Sequence, residues 1–229
     1  MRIDKVLSQL KYGSRNDAKE MLKNHQVHVN HRPVTSAKFD VDPLNDVITI
    51  DGIDVFYKDP IHIAIYKPKG YLSAHKDQLH PCIIELIKDP YHRFDYAMAG
   101  RLDLDAEGLM ILTTSGSLAH QITHPKYHLE KTYEVLLDHP FIHEQALLDG
   151  VTILDGQNEP YLAKACHIES QGTCVILSID EGKFHQVKRM FKALNYEVIN
   201  LKRLSIGKLH LHPLKPGEYR EFTLEELYD

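Results

Sequence analysis

A cluster of charged residues that leads directly into an apolar run is the feature that most constrains the fold of this chain. The segment AGRLDLDAEGLMIL, residues 99–112, holds Arg101, Asp103, Asp105 and Glu107 and then becomes hydrophobic. The length and flanks of the run predict a buried strand. A carboxylate held at the end of such a strand is suited to act as a nucleophile or base, which makes Asp103 a candidate functional residue. The alternative is a loop acid that caps the next turn. Asp105 and Glu107 are expected to be structural.

Beyond residue 60, strand patterns outnumber helix patterns. The segments IHIAIYK, GLMILTT, KTYEVLL and TCVILSID predict strands, and GSLAHQI and FIHEQALLDG predict short helices. A further helix is predicted after His185, because apolar side chains recur there at helical spacing: Val187, Met190, Phe191 and Leu194. Residues 61–229 are therefore predicted to form a mixed α/β (α+β) domain, rich in strands and with peripheral helices.

The first 58 residues are predicted to form a separate small module. In GSRNDAKEMLKNHQ, Ser14 is a good N-cap for a helix. VHVN and DVITIDG alternate like short strands, and HRPV between them predicts a turn. A unit of this length buries only a thin core, which suits a module tethered to a larger domain. The chain is thus divided into residues 1–58 and 61–229.

The net charge of −5 is distributed unevenly along the chain. Residues 1–38 hold eight lysines and arginines against three acids, a net charge of +5, so the rest of the chain carries −10. A basic end on an acidic body is typical of a module that binds a polyanion such as nucleic acid. A second basic segment, residues 183–203, holds six lysines and arginines against one acid. The side chains of the first module that are predicted to contact RNA are Arg2, Lys5, Arg15, Lys19, Lys23 and Arg32.

Composition argues against several other classes of protein. Hydrophobic residues make up 43% of the chain, enough for a packed core, but no apolar window reaches the length of a membrane span. The three cysteines are far apart and outside any C-x-x-C motif, so neither a disulfide framework nor a cysteine zinc site is predicted, and a reducing cytosol is the expected compartment. His210 and His212, on one face of a predicted LHLH strand, lack nearby cysteine or acidic ligands, and we expect neither a metal nor a membrane partner.

Three motifs of the first module, RIDKVLS, GSRNDAKEML and VHVNHRPV, resemble the alpha-L RNA-binding domain of the ribosomal protein S-four type. The resemblance covers the whole module and implies RNA as its partner. One position departs from the family, because His31 stands where glycine usually follows VN, and this affects the geometry of the turn. The alternative interpretation is a basic, solvated helix without a ligand.

In the larger domain, the motifs YKPKGYLSA, GRLDLDAEGLMILTTSG, LEKTYEV and EGKFHQVKRM closely resemble, in this order, the RsuA/RluB group of pseudouridine synthases. The resemblance implies a long mixed or antiparallel sheet with flanking helices and an active site in a central cleft. It also implies roles for four residues. Asp103 matches the catalytic carboxylate, Arg101 the residue that enters the RNA stack, Tyr133 the aromatic that stacks on the target base, and Lys188 the cation that faces Asp103.

The chemistry that this resemblance implies needs these residue types. Converting uridine to pseudouridine breaks the bond between ribose and the base nitrogen, turns the uracil and rejoins it through carbon five, so neither a redox cofactor nor a group donor is expected. An ionised carboxylate either attacks the anomeric carbon or removes a neighbouring ribose proton, and both routes stay open. A nearby cation favours the ionised form, and stacking on a flat aromatic offsets the cost of extracting the target base.

The substrate is predicted from the same motifs. EKTYEV and EGKFHQVKRM resemble the branch that acts on 16S ribosomal RNA, and the large-subunit branch differs at Phe184, His185 and Lys188. We expect one uridine to be modified, within ribosomal RNA that is partly assembled into a small subunit. The alternatives are a 23S ribosomal RNA pseudouridine synthase, a non-catalytic RNA-binding assembly factor, and a glycosidase-type hydrolase that uses Asp103 with Asp105, which are poorly spaced for that reaction.

Overall fold

The chain divides into two compact units. The computed structural model describes residues 1–229, except for the side chain of Pro125. The first unit comprises Met1–Ile61 together with Ile87–Tyr96, and the second comprises His62–Leu86 and Ala97–Asp229. The segment Ile87–Tyr96, termed the excursion below, therefore belongs to the first unit although residues of the second unit precede and follow it. Among the described residues, no helix combines the length and the apolar character needed to cross a bilayer.

The first unit contains two helices and a four-stranded antiparallel sheet. The helices are α1 (Ile3–Gln9) and α2 (Arg15–Lys23), and the strands are β1 (Val27–Val29), β2 (Arg32–Pro33), β3 (Ile48–Ile50) and β4 (Ile53–Asp54). The strands pair in the order β2, β1, β3, β4. Helix α2 begins at the predicted cap, because Ser14 Oγ accepts a hydrogen bond from the N–H of Asp17 (3.2 Å) and the Asp17 carboxylate accepts one from the N–H of Ser14 (2.7 Å). This reciprocal capping satisfies two N–H groups at the start of the helix.

The turn between β1 and β2 lies earlier than the sequence pattern predicted. Asn30 and His31 form it, and both have positive φ angles, 50° and 64°, as a two-residue hairpin turn requires. Arg32 and Pro33, which were predicted to lie in a turn, instead pair with β1 as an edge strand, where a proline is tolerated. His31 thus holds a conformation that glycine adopts at lower cost.

The excursion is attached to the first unit by ring contacts and an ion pair. The ring of Phe56 lies edge-on to the rings of Tyr91 and Phe94, with centroids 5.4 and 5.9 Å away. Lys11 Nζ lies 2.8 Å from Asp95 Oδ1. The first unit is therefore assembled from two stretches that are distant in sequence, and deletion of the amino-terminal module would leave the rings of the excursion without these partners.

The second unit is built on a large mixed sheet. Its strands are β5 (His62–Lys67), β6 (Ala97–Met98), β7 (Glu107–Thr113), β8 (Lys131–Leu137), β9 (Val151–Leu154), β10 (Pro160–Ala163), β11 (His167–Gln171), β12 (Cys174–Ile179), β13 (Val198–Ile206), β14 (Leu209–His210) and β15 (Tyr219–Glu221). Its helices are α3 (Gly116–Thr123), α4 (Glu144–Asp149), α5 (Gln186–Ala193) and α6 (Leu224–Tyr228). Short 3-10 turns lie at Ile83–Leu86 and Pro125–Tyr127, and a third, Tyr91–Arg93, belongs to the excursion.

Seven strands of the large sheet follow the order β11, β12, β8, β13, β7, β5, β15, with β14 paired to β13 and β6 paired to β7. Strands β9 and β10 form a separate hairpin. Only the β13–β7 pair is parallel among these described pairings; the others are antiparallel. A strand-rich sheet with peripheral helices confirms the predicted α+β class. Strand β14 ends at His210, so the predicted strand does not extend through His212.

Strand β7, which follows the charged loop, is central in the sheet and buried from Gly108 to Thr113. Gly108 has φ 112°, and a β-carbon there would collide with the backbone of Arg203 on the neighbouring strand β13. Only glycine permits this close approach of the two strands. On one side of the sheet, residues of β5 and β7 pack with α3 and α6 in a core that includes Leu109, Ile111 and Leu118. The end of the charged loop is thereby held against the middle of β13.

Candidate active site

The loop that carries Asp103 is fastened by hydrogen bonds to the segment that follows β5. Ser73 Oγ donates to the carbonyl oxygen of Leu102 (2.8 Å) and accepts from the N–H of the same residue (3.0 Å). On the other side of Asp103, the N–H of Gly70 donates to the carbonyl oxygen of Leu104 (2.8 Å). The backbone is thus held immediately before and after the carboxylate, as precise positioning of a functional group requires.

Lys67, at the end of β5, fastens the same loop from a buried position. Its side chain is 0% exposed, and Nζ donates to the carbonyl oxygens of Ala106 (2.6 Å) and Pro68 (3.1 Å). Burial lowers the pKa of Lys67 to about 8, although the negative charges of Asp103 and Asp105 act in the opposite direction. Lys67 is therefore an anchor for the loop, and its charge also acts on the carboxylates that the loop carries.

Helix α5 brings two basic side chains to Asp103. Lys188 Nζ lies 2.9 Å from Asp103 Oδ2, and His185 Nε2 lies 3.2 Å from Asp103 Oδ1. His185 immediately precedes the helix and has a left-handed backbone conformation, with φ 51°. Gln186 braces this turn, because its Oε1 accepts a hydrogen bond from the N–H of Lys183 (3.0 Å). The structure thus places a basic side chain against each oxygen of the carboxylate.

Lys188 is shared between two carboxylates. Its Nζ also lies 2.6 Å from Asp105 Oδ1. Burial lowers the pKa of Lys188, but hydrogen bonds to Asp105 and Asp103 and their negative charges more than offset this, and the pKa is raised. The hydrogen bond from Lys188 lowers the pKa of Asp105. The side chain of Asp105 is 74% exposed and that of Asp103 only 26%, so the two acids differ most in their access to water.

Asp103 faces a cavity of about 120 Å³. The side chains that β8 and β13 contribute to this cavity, termed the strand wall below, are Lys131, Tyr133, Leu201 and Arg203. The volume is of the same order as the roughly 150 Å³ cavity that accommodates one benzene ring in a protein core. A wider groove of about 640 Å³ adjoins the cavity, and Arg101, which is exposed, lines both. The site therefore combines a ring-sized cavity with an open groove.

Several residues that shape the site had no role in the sequence interpretation. Lys67 and Ser73 stand in the quoted motif YKPKGYLSA, which was the available signal, but their contacts depend on burial that the motif does not encode. From the sequence, His185 and Phe184 only distinguish the small-subunit branch of the family from the large-subunit branch. In the structure the Phe184 ring is stacked on that of His185, with centroids 3.8 Å apart, and is 49% exposed beside the groove. Glu107 accepts hydrogen bonds from Tyr66 and Asn200, a structural role as expected.

All six basic side chains predicted to contact RNA are exposed: Arg2, Lys5, Arg15, Lys19, Lys23 and Arg32. Arg15, Lys19 and Lys23 follow one another at intervals of four residues along α2 and therefore share one face. Arg2 differs from the other five, because its guanidinium makes two hydrogen bonds, of 3.1 and 2.7 Å, to the carboxylate of Asp4, whose side chain is buried. Two of the guanidinium donors of Arg2 are therefore already bound to a carboxylate of the protein.

These features describe a strand-rich domain that holds a carboxylate beside a ring-sized cavity and that follows a small basic module along the chain. The family model for RNA pseudouridylate synthase matches residues 61–193, and the model for the S4 domain matches residues 1–48. The first match covers more than half of the chain. The chain belongs to the RNA pseudouridylate synthase family.

Relatives of similar length support this assignment. The chain is 42% identical to the "Uncharacterized RNA pseudouridine synthase YtzG" of Bacillus subtilis (strain 168), over 100% of the chain and 97% of that protein. It is 37% identical to the "Ribosomal small subunit pseudouridine synthase A" of Escherichia coli (strain K12), over 99% of the chain and 98% of that protein. A crystal structure described as a pseudouridylate synthase is similar, with a TM-score of 0.67, 33% identity, and coverage of 99% of this chain and 98% of that one.

Proposed function

We propose that this chain is a cytoplasmic enzyme that isomerises one uridine of 16S ribosomal RNA to pseudouridine, with Asp103 as the catalytic carboxylate. The observation that carries the proposal is that Asp103, which lines the cavity together with Tyr133, lies 2.9 Å from the ammonium of Lys188. An ionised carboxylate is the group that either route to pseudouridine needs, and a partly buried one requires a cation to keep it charged.

Four residues of the site are assigned a role in this reaction. Asp103 attacks the anomeric carbon or removes a neighbouring ribose proton. Tyr133, 6% exposed on the strand wall, supplies a flat apolar surface on which the extracted uracil stacks. Arg101, exposed beside the groove, is long enough to enter the space that the base vacates in the RNA. His185, whose Nε2 lies 3.2 Å from Asp103 Oδ1, helps to orient the carboxylate.

Two observations support a small-subunit substrate. Relatives that are 36–37% identical over nearly the whole chain are named for the ribosomal small subunit. The chain also carries exposed cations on α2 and at least partly exposed cations in the segment 183–203, where Arg203 alone of the six is buried, so each unit offers basic side chains to RNA phosphates. Because RNA is recognised largely through shape, loops and unstacked bases, we infer that the enzyme acts on RNA that is already folded or partly assembled with small-subunit proteins.

Mapping of pseudouridine in defined transcripts tests the substrate. We expect the purified protein to convert one uridine in unmodified 16S ribosomal RNA, more efficiently when small-subunit proteins are present, and to leave a 23S transcript unmodified. The readout is chemical mapping of pseudouridine in both RNAs, with an Asp103→Asn protein as the control for background. Pseudouridine found only in 23S or transfer RNA would contradict the assignment of 16S ribosomal RNA as the substrate but would agree with the proposed reaction. RNA binding without any product would favour the non-catalytic assembly factor, and free uracil would indicate a hydrolase.

The contribution of the first unit is tested by removing the charges of α2. A triple variant, Arg15→Gln, Lys19→Gln and Lys23→Gln, is expected to weaken RNA binding at least about tenfold and to reduce the slope of log affinity against log salt by roughly 2 to 3, because each phosphate contact contributes about 0.7 to 0.9. Substitution is preferable to deletion, since deletion would strip the excursion of its contacts. The measurement is RNA affinity across a series of salt concentrations.

The matched control removes three charges from exposed lysines of the second unit that line neither the cavity nor the groove. Lys164→Gln, Lys208→Gln and Lys215→Gln together change the net charge by the same amount. If the control weakens binding as much as the α2 variant does, the effect comes from net charge, and α2 does not contact the RNA.

A further inference from the structure

Arg203 is a buried cation that the proposed mechanism leaves unused. It lies on β13, is 3% exposed, and pairs across the sheet with Tyr133 of β8. Its Nε donates to the carbonyl oxygen of Leu109 (2.7 Å), but Nη2 is buried and has no hydrogen-bond partner among the described residues. The side chain lines the cavity that Asp103 faces. A buried donor without a partner is costly, so this one points to a partner that the bound substrate supplies.

Lys131 places a second cation on the same strand wall. It stands two residues before Tyr133 on β8 and is therefore on the same face of the sheet. Its side chain is 8% exposed, and Nζ donates to the carbonyl oxygen of Leu129 (2.6 Å). Burial lowers the pKa of Lys131 to about 8; the positive charge of Arg203 acts in the same direction, and the negative charge of Asp180 acts in the opposite one. The two cations are thus close enough to repel each other.

No carboxylate of the described chain forms an ion pair with either of these side chains. The nearest candidate in the cavity, Asp103, is already held by Lys188 and His185. Two buried cations that repel each other destabilise the fold unless negative charge joins them. The cavity between the strand wall and Asp103 is large enough for one ring, so the missing negative charge is assigned to a ligand of that size.

We propose that Arg203 and Lys131 form a subsite for the carbonyl oxygens of the target uracil and stabilise the negative charge that the base carries once its bond to ribose is broken. This inference rests on the proposed function. As the C1′–N1 bond breaks, its electron pair passes to the uracil ring and is shared by N1 and the carbonyl oxygens. Asp103 meanwhile bonds to C1′ or takes the proton from C2′. Both routes therefore produce the same uracil anion, and the subsite serves either one.

The second half of the reaction balances without another reactant. C5 of the anionic ring forms the new bond to C1′, using an electron pair of the ring. The carboxylate is then displaced from C1′, or returns its proton to C2′. Loss of the proton from C5 and gain of a proton by N1 complete the isomer. The negative charge on the ring exists only between the two bond changes, which is when fixed cationic donors lower the barrier most.

Two further features of the subsite fit this role. The guanidinium is held rigidly, because its Nε is bound to Leu109 and because Gly108 allows the backbone of Arg203 to pack against β7. Donors that are fixed before the reaction are the most effective at stabilising a developing charge. The subsite also discriminates between bases. Uracil presents a carbonyl oxygen that can accept a hydrogen bond, whereas cytosine presents an amino group there, which cannot pair with a second hydrogen-bond donor.

A double-substitution cycle between protein and base tests the contact. Full-length wild-type protein and an Arg203→Met variant are compared in single-turnover reactions on 16S ribosomal RNA with uridine, 2-thiouridine or 4-thiouridine at the position that the wild type modifies. We expect Arg203→Met to slow the reaction on uridine by about 100- to 1000-fold, the range for loss of one donor to a developing oxyanion, with unchanged RNA affinity. One of the two sulfur substitutions should slow the wild type at least about tenfold and leave the rate of the variant unchanged.

The double-substitution cycle distinguishes a direct contact between Arg203 and the base from an effect of the substitution on the protein structure alone. If sulfur slows the variant by the same factor as it slows the wild type, or if the wild type tolerates both sulfur bases, the subsite is overturned. Lys131→Met is taken through the same cycle, and carries the test if melting curves show that Arg203→Met does not fold. Lys208→Met, at an exposed lysine outside the site, is the control and should react like the wild type. Absence of product with the wild type on uridine would instead overturn the proposed function, and the subsite with it.

Discussion

An Asp103→Asn variant is expected to lose pseudouridine formation by more than about a hundredfold while retaining its fold and its RNA affinity, because the amide keeps the shape of the side chain but acts neither as a nucleophile nor as a base. Its oxygen can still accept a hydrogen bond from Lys188, so the loop remains in place. The measurement is the single-turnover rate at saturating RNA, together with RNA affinity and a melting curve. A variant that keeps more than about a hundredth of the wild-type rate would exclude Asp103 as the catalytic group.

Asp105→Asn is the matched control for this experiment. Asp105 stands two residues away, contacts the same lysine and is 74% exposed. Its amide would also still accept a hydrogen bond from Lys188. We expect a loss of less than about tenfold, the size of effect that removal of an exposed ion pair produces. If Asp105→Asn were as damaging as Asp103→Asn, the two carboxylates would have to act as a pair, and the hydrolase alternative would regain support.

The second large effect is expected for Lys188→Met. Removal of the ammonium leaves His185 as the remaining basic contact of the Asp103 carboxylate, which then lacks the cation that holds its position. We expect the single-turnover rate at saturating RNA to fall by about 10²-fold, since one positioned charge partner contributes a few kcal/mol.

Two further variants show whether the rate loss in Lys188→Met comes from the loss of a positive charge or from the loss of a charge at this particular position. Lys188→Arg keeps the positive charge and should retain more activity than Lys188→Met. Lys192→Met removes a charge one turn further along α5, where the side chain is exposed, and should leave the rate at saturating RNA unchanged. If Lys188→Met kept the wild-type rate at saturating RNA, the reaction would not depend on the contact between this ammonium and Asp103.

Elements with strong local patterns could be predicted from the sequence. Helix α2 begins at Ser14 because a side chain three residues away completes the cap, and α5 follows from apolar residues that recur along one stripe. The strands β5, β7, β8 and β12 are apolar runs bounded by turn residues. These features depend on interactions within a few residues of the chain, and a reader of the sequence sees both partners of each interaction.

Elements that depend on remote partners could not be predicted in the same way. The edge strand β11 alternates without a strong apolar face, and β13 carries several basic residues, so neither has a local strand signal. The excursion was assigned to the larger domain, because its rings meet Phe56 only in three dimensions. The sequence pattern predicts a turn at strand β2, because it does not specify the hairpin register that pairs Arg32 and Pro33 with β1.

The family, the mixed α/β class and the candidate site residues could be inferred from sequence, because the motifs that hold Asp103, Tyr133 and Lys188 are contiguous and specific. The fold was needed to show which of the neighbouring acids is shielded, which lysines are buried, and that Arg203 has a donor without a partner among the described residues. Burial and charge pairing arise where strands from distant parts of the chain meet, as β8, β13 and β7 do here. The linear sequence does not show whether the fold will bury a given lysine or arginine in a region of low dielectric constant.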